Sequence, residues 1–178
     1  IGKDAAEDTP YGTIPTENLD ANGEQLQARV RLYPITGERR YLERAERLAD
    51  SYLIGQAPFL PERLRDHGCE IIGGLGLLLG VESVHNPEKA KQYLPHIRNM
   101  FDEILARGTN EDGLMFNKLG AQTGLSDGWG YNYVGFLCYD MAAGQPVYRN
   151  RVEQTLKNLE KEKYRNGWGN GQGGNIDE

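Results

Sequence analysis

Nothing in the sequence stays apolar long enough to cross a bilayer. The longest apolar run, residues 71–81, is interrupted by Gly73, Gly74, Gly76 and Gly80. A spanning helix needs about 20 apolar residues, so no membrane partner is expected. Cysteine is scarce: Cys69 and Cys138 are the only two and cannot make a disulfide framework. Both fall in stretches expected to be buried helix, where a free thiol behaves as a small apolar group. No C-x-x-C or H-E-x-x-H spacing occurs, so no metal and no cofactor are implied. Positive charge is in deficit, with a formal net charge of -6. A nucleic-acid binder would carry a basic face, so nucleic acid is not an expected partner. An anionic sugar held by a few local cations stays compatible with that balance. An initiator methionine and a signal peptide are also missing. The chain starts at Ile1 and stops in NGWGNGQGGNIDE. Ends of this kind suit a processed or trimmed product and leave a secreted or periplasmic location open.

What is present is enough chain for one domain, 178 residues, with a core of its own. Its centre is the stretch RDHGCEIIGGLGLLLGVE, residues 65–82. Four polar or ionisable groups come first: Arg65, Asp66, His67 and Glu70. The apolar run that follows is apolar on every face, which predicts a helix buried all round. Glycine costs a helix roughly 1 kcal/mol relative to alanine. Four in one buried helix therefore point to neighbouring backbones that pack very close. A charged cluster at the start of such a helix suggests a cavity at that end.

Taken in order, residues 1–16 read as an irregular arm and residues 17–165 as the folded domain. Residues 166–178 form a Gly-rich tail that includes Trp168. A first helix is expected over about 16–33 and a second over 38–54. The apolar residues of the second are Tyr41, Leu42, Ala45, Leu48, Ala49, Tyr52 and Leu53, a helical stripe. The charges on its other face read as a solvated surface with i, i+4 pairs. Pro58 and Pro61 make 56–65 a loop, and the third helix then runs to about Val84. Asn86-Pro87 signals a helix start, and the fourth helix reaches about Arg107. Pro95 should kink this helix or mark a late start. Residues 108–125 form a long loop, and loops of this length are often functional. Its Asn110-Glu111-Asp112-Gly113 run reads as a turn, since EF-hand spacing is absent. A fifth helix begins after Ser126, and a sixth is expected over about 145–164.

The fourth helix repeats the stripe of the second at the same offsets: Tyr93, Leu94, Ile97, Met100, Phe101, Ile104 and Leu105. The sixth carries a weaker copy in Tyr148, Val152, Leu156 and Leu159. Ahead of each tyrosine lies an aspartate near a helix start: Asp20, Asp66 and Asp127. The spacing predicts three helical hairpins of about 50 residues, a repeat architecture. In each, the first helix is more buried and the second amphipathic. The expected fold class is therefore all-α, a partial α/α toroid, with inner helices around a hollow. A full ring of five to seven hairpins would need about twice this length. Because repeats bury their faces against neighbours, such an arc should form a homo-oligomer or belong to a longer chain.

The segments DHGCEIIGGLGLL, SDGWGYNYVGF and TGERRYLERAERLADSYL resemble the six-hairpin glycosidase and polysaccharide-lyase toroids. The resemblance covers most of residues 17–165 as a pattern of hairpins. It implies carbohydrate as the partner and chemistry at the N-termini of the inner helices. Other α/α toroids, the lanthionine and terpene cyclases and the prenyltransferases, need a zinc cysteine–histidine set or an aspartate-rich motif that this sequence lacks.

Two groups of residues could carry that chemistry. Asp66, His67 and Glu70, with Arg65, stand at the mouth of one inner helix. Asp127, Trp129, Tyr131, Asn132 and Tyr133 stand at the mouth of the next. Glycoside hydrolysis needs two carboxylates, about 5–5.5 Å apart for retention or about 6.5–9.5 Å for inversion. Asp66 and Asp127 are the expected pair, with Arg65, Glu70, Trp129, Asn132 and Tyr133 binding substrate. A lyase would use His67 and Tyr131 or Tyr133 as proton acceptor and donor, with Arg65 or Asn132 on the uronate. A non-catalytic sugar-binding module or scaffold is the further alternative. The competing structural roles are plain. An aspartate at a helix start is commonly an N-cap, a histidine there can bond a loop, and aromatic residues can be core.

Overall fold

The computed structural model describes residues 7–65, 68–126 and 129–165. The protein is largely α-helical, 65%, which bears out the all-α expectation at that coarse level. It departs from it at the start. Glu7–Thr9 (β1) and Gly12–Ile14 (β2) pair antiparallel, Glu7 opposite Ile14, inside the arm expected to be irregular. The Thr9 hydroxyl makes the turn, donating to Gly12 O at 2.7 Å and accepting from Tyr11 N at 3.1 Å. Gly12 takes φ +109°, a conformation that side chains resist. Ile14 then tucks into the core.

Helix α1 is Leu19–Thr36. Its cap is Asn18, whose Oδ1 accepts from Ala21 N at 3.0 Å, so Asp20 lies in the first turn and is not the cap. Gly37, at φ 70°, closes it three residues beyond the expected end. Helix α2 is Arg39–Ala49, continued by a π-helical turn over Asp50–Ile54. Helix α3 is Cys69–His85 and α4 is Pro87–Arg107. Asn86 caps α4 and Pro87 opens it, as the sequence indicates, and the helix runs through Pro95. Helix α5 is Trp129–Ala143. The expected sixth helix is two: α6, Arg149–Asn158, and α7, Glu162–Arg165. Its start is delayed because the buried Asp140 carboxylate accepts from Tyr148 N and Arg149 N, at 2.9 and 2.8 Å. Its break follows from Asp112. Asn158 Nδ2 donates to the Asp112 carbonyl at 2.9 Å, while Lys161 and Lys163 both bond the Asp112 carboxylate. Lys161 first and Lys163 second hold that carboxyl well below the usual carboxylate range.

The glycines of α3 show how the helices lie. A Cβ on Gly23 of α1 would fall 2.5 Å from Ile71 N, and Gly74 faces Leu26 and Gln27. Numbers rise together on both sides, so α1 and α3 are parallel. On the opposite side Gly73 meets Tyr131, Gly76 meets Gly135 and Gly80 meets Cys138. So α5 is parallel to α3 as well. At its tightest, a Cβ on Gly76 would sit 2.3 Å from Gly135 Cα, which confirms backbones in near contact. Helices α1, α3 and α5 thus form one layer with α3 in the middle, and α2, α4 and α6 pack outside it.

The outer layer is joined by a repeated clasp. Tyr93 donates its hydroxyl to Asp50 Oδ1 at 2.8 Å, and Tyr148 donates to Asp102 Oδ1 at 2.8 Å. Each aspartate also meets a cation, Lys89 at 2.8 Å and Arg98 at 2.6 Å. That cation lies over the tyrosine ring. Burial first pushes both tyrosine hydroxyls far above their ordinary pKa, so each remains a donor. The repeated tyrosines are therefore joints between neighbouring hairpins. Beneath them Phe101, Phe136 and Tyr148 stack within 5.6 Å of one another, closing the core between α4, α5 and α6.

Candidate functional site

Because α1, α3 and α5 run parallel, their N-termini share one end of the layer. The close approach at Gly23 sets the α3 entrance against the first turns of α1. Asp20 and Glu24 are four residues apart and share a face of α1. Their carboxylates and that of Glu70 on α3 offer oxygens that all lie within 4.8 Å of one another. Glu70 Oε2 is buried and has no hydrogen-bond partner among the described residues. The Glu70 backbone carbonyl accepts from Gln27 Nε2 at 2.9 Å, and Arg31 Nη1 donates to Gln27 Oε1 at 3.0 Å. That chain of contacts ties the α3 entrance to α1.

A loop wall stands behind this end. Residues 62–64 pair with 117–119: Leu64 N donates to Asn117 O at 3.0 Å and Leu119 N to Glu62 O at 2.8 Å. The 108–125 stretch is a loop, as expected, but a tied one, with bridges between Thr109 and Met115 and between Phe116 and Leu125. Its Asn110-to-Gly113 run is a turn. Asn110 Oδ1 accepts from Asp112 N and Leu114 N at 3.0 and 2.9 Å.

The expected site residues divide into three sets. Asp66, His67, Asp127 and the side chain of Trp129 lie outside the described residues, as does Trp168. Arg65, Glu70 and Tyr131 belong to the shared end, and Tyr131 is 38% exposed on the first turn of α5. Asn132 and Tyr133 turn inward. Asn132 is fully buried and its Nδ2 donates to Leu64 O at 3.0 Å. Tyr133 is buried and donates to Gly113 O at 3.2 Å, and burial pushes its hydroxyl up to about 12. Both anchor the loop wall from behind. Asn132 Oδ1 keeps no hydrogen-bond partner among the described residues. Cys69 is buried in α3 as expected, while Cys138 is only half-buried on α5, where burial still raises its thiol pKa.

Glu24 was not legible as a site residue. The only signal was the i, i+4 pair of like charges with Asp20, on a helix whose packing against α3 the sequence does not reveal. Oxygens so grouped can accept from sugar hydroxyls or approach a cation, which prefers carboxylate ligands at about 2.3–2.6 Å for calcium. No protein-family model, no curated protein and no solved structure matches this chain.

Proposed function

We propose that the protein is carbohydrate-active, a glycoside hydrolase built as an arc of an α/α toroid, acting on an oligo- or polysaccharide. The observation that carries this reading is the parallel inner layer. It brings the N-terminal ends of three helices together, with Asp20, Glu24 and Glu70 converging there within 4.8 Å. In sequence, Asp66 and His67 stand three and two residues before α3 and Asp127 two residues before α5, and this adjacency supports the reading. In this reading Asp66 and Asp127 act as the acid and the base or nucleophile. Glu70, Glu24 and Asp20 accept from substrate hydroxyls, and Tyr131 offers an aromatic face to sugar C–H groups.

Incubation with a panel of neutral and uronate-containing oligosaccharides tests the proposal, with reducing ends measured as they form. Cleavage is expected, falling at least 100-fold in Asp66→Asn or Asp127→Asn, the scale on which acid–base groups contribute. Glu70→Gln should weaken binding more than it slows turnover. Binding without cleavage would reduce the protein to a sugar-binding module, and new ultraviolet absorbance from an unsaturated uronate would make it a lyase. Absence of both binding and cleavage across the panel would remove the carbohydrate reading.

A further inference from the structure

A second concave site lies away from the shared helix end, in the groove between α1 and α2. It has a volume of about 280 Å³ and is lined by Arg29 from α1 and by Arg44 and Arg47 from α2, with Thr13 and Pro15 beside them. Its apolar floor is Ile14 and Leu48, both buried. Three arginines thus line one pocket in a protein whose net charge is -6.

Among the described residues none of the three arginines forms an ion pair. Of the acids on and flanking α2, Glu46 faces Glu82 of α3 and the others are paired. Glu43 pairs with Arg39 at 3.6 Å, Glu38 pairs with Arg40 at 2.6 Å, and Asp50 pairs with Lys89 at 2.8 Å. Asp8, across the hairpin, accepts from the Thr13 hydroxyl at 2.7 Å. Arg29 is half-buried, and burial first and Arg44 second lower its pKa. Like charges held together at partial burial are unfavourable unless an anion joins them.

The hairpin makes the cluster a built site. Gly12 lies against the Arg47 stem, where a Cβ would be 3.2 Å from Arg47 Cδ. The strand pairing of Asp8 with Thr13 and Glu7 with Ile14 fixes the wall that holds Thr13 and Pro15 over the groove. A guanidinium is a planar fork that meets a tetrahedral or carboxylate oxyanion with two parallel hydrogen bonds.

We propose that this pocket binds a multiply charged oxyanion, phosphate or sulfate, free or as the ester group of a small molecule. Three forks match an anion of two negative charges better than a single carboxylate. The volume accommodates the anion with a small attached group, being just below the usual range for small-molecule sites, about 300–1,000 Å³. This site is independent of the carboxylates at the helix end and stands whether or not that end acts on sugars.

Calorimetric titration of the whole chain with inorganic phosphate, inorganic sulfate, glucose 6-phosphate and glucuronate tests it. Saturable binding of the dianions is expected, with glucuronate much weaker and affinity falling as salt rises. Arg44→Gln and Arg47→Gln, both at exposed positions, should each weaken binding about tenfold, the value of one or two charge-assisted hydrogen bonds. Arg40→Gln, on the same helix but outside the pocket, should leave it unchanged. An ester that binds tighter than phosphate identifies an esterified ligand, and equal affinities identify the free anion. No saturable binding of any dianion, or equal loss in Arg40→Gln and Arg44→Gln, would overturn the proposal.

Discussion

Glu82 sits in α3 with both carboxylate oxygens buried and without a hydrogen-bond donor among the described residues. Beside it on α2 is Glu46, while Lys89 of α4 and Arg39 of α2 act on it more weakly. Two ionised carboxylates in that position would each lack a partner, and one proton between them resolves this. Burial first and Glu46 second push the Glu82 carboxyl up to about 8. A group whose pKa rises on folding stabilises the fold below its unfolded value. That stability is lost as pH climbs through the folded value. Between about pH 4.3 and the folded value the loss approaches about 1.4 kcal/mol per pH unit. Glu82→Gln supplies a donor toward Glu46 without a titrating proton. Thermal unfolding of this variant should therefore be less sensitive to pH between about 4.3 and about 8, the window those two values define, and its advantage over the parent should be largest at the alkaline end. An unchanged pH profile would mean that Glu82 is ionised in the native protein.

At the scale of elements, the α3–α5 contact depends on missing side chains. A methyl on Gly76 would strike the Gly135 backbone, which cannot turn away as a side chain can. Gly76→Ala should therefore destabilise the fold by about 1–3 kcal/mol, the usual cost of overpacking, read from the denaturation midpoint. Gly74→Ala should cost less, because its nearest neighbour is the flexible end of Leu26 at 3.0 Å. The need for this approach was legible in the sequence, since four glycines in an apolar helix have few other uses. So was the course of α4, because Asn86, Pro87 and the stripe from Tyr93 to Leu105 all indicate the same element. The two-strand hairpin was not legible, because three-residue strands are too short for alternation to register. The break between α6 and α7 was also hidden, since it is imposed by Asp112, far away in sequence. For the candidate site, the sequence singles out Glu70, which the fold sets beside Asp20 and Glu24. Asn132 and Tyr133 look like ligands of a hollow in sequence, yet they bond Leu64 and Gly113, and only the path of the loop shows this.

Taken as a whole, the described residues form a row of hairpins with α1 at one edge and α5 at the other. Along α5, Val134, Leu137 and Met141 are exposed at 45, 36 and 74%. Along α1, Leu32 and Ile35 are exposed at 38 and 79%. Large apolar residues in such stripes mark association surfaces. Inside the chain, parallel inner helices meet side by side twice, and the α5 edge of one copy against the α1 edge of another continues that packing. On the proposed toroid reading, two copies joined this way at both edges would close on themselves. Sedimentation should therefore give twice the 19.9 kDa chain mass, and Met141→Glu should return the single-chain value. A parent that sediments as a monomer at high concentration would exclude this closure. The tyrosine clasp tells how such a ring would behave. Its aspartate stands nine residues after Tyr41 and again after Tyr93, but nine residues after Tyr148 the chain has Lys157. The seams between copies would thus lack the fastening found at every joint within a copy. An assembly of that kind would part along its seams while each half keeps its shape, so on the proposed carbohydrate reading a long polymer would enter sideways without threading from an end.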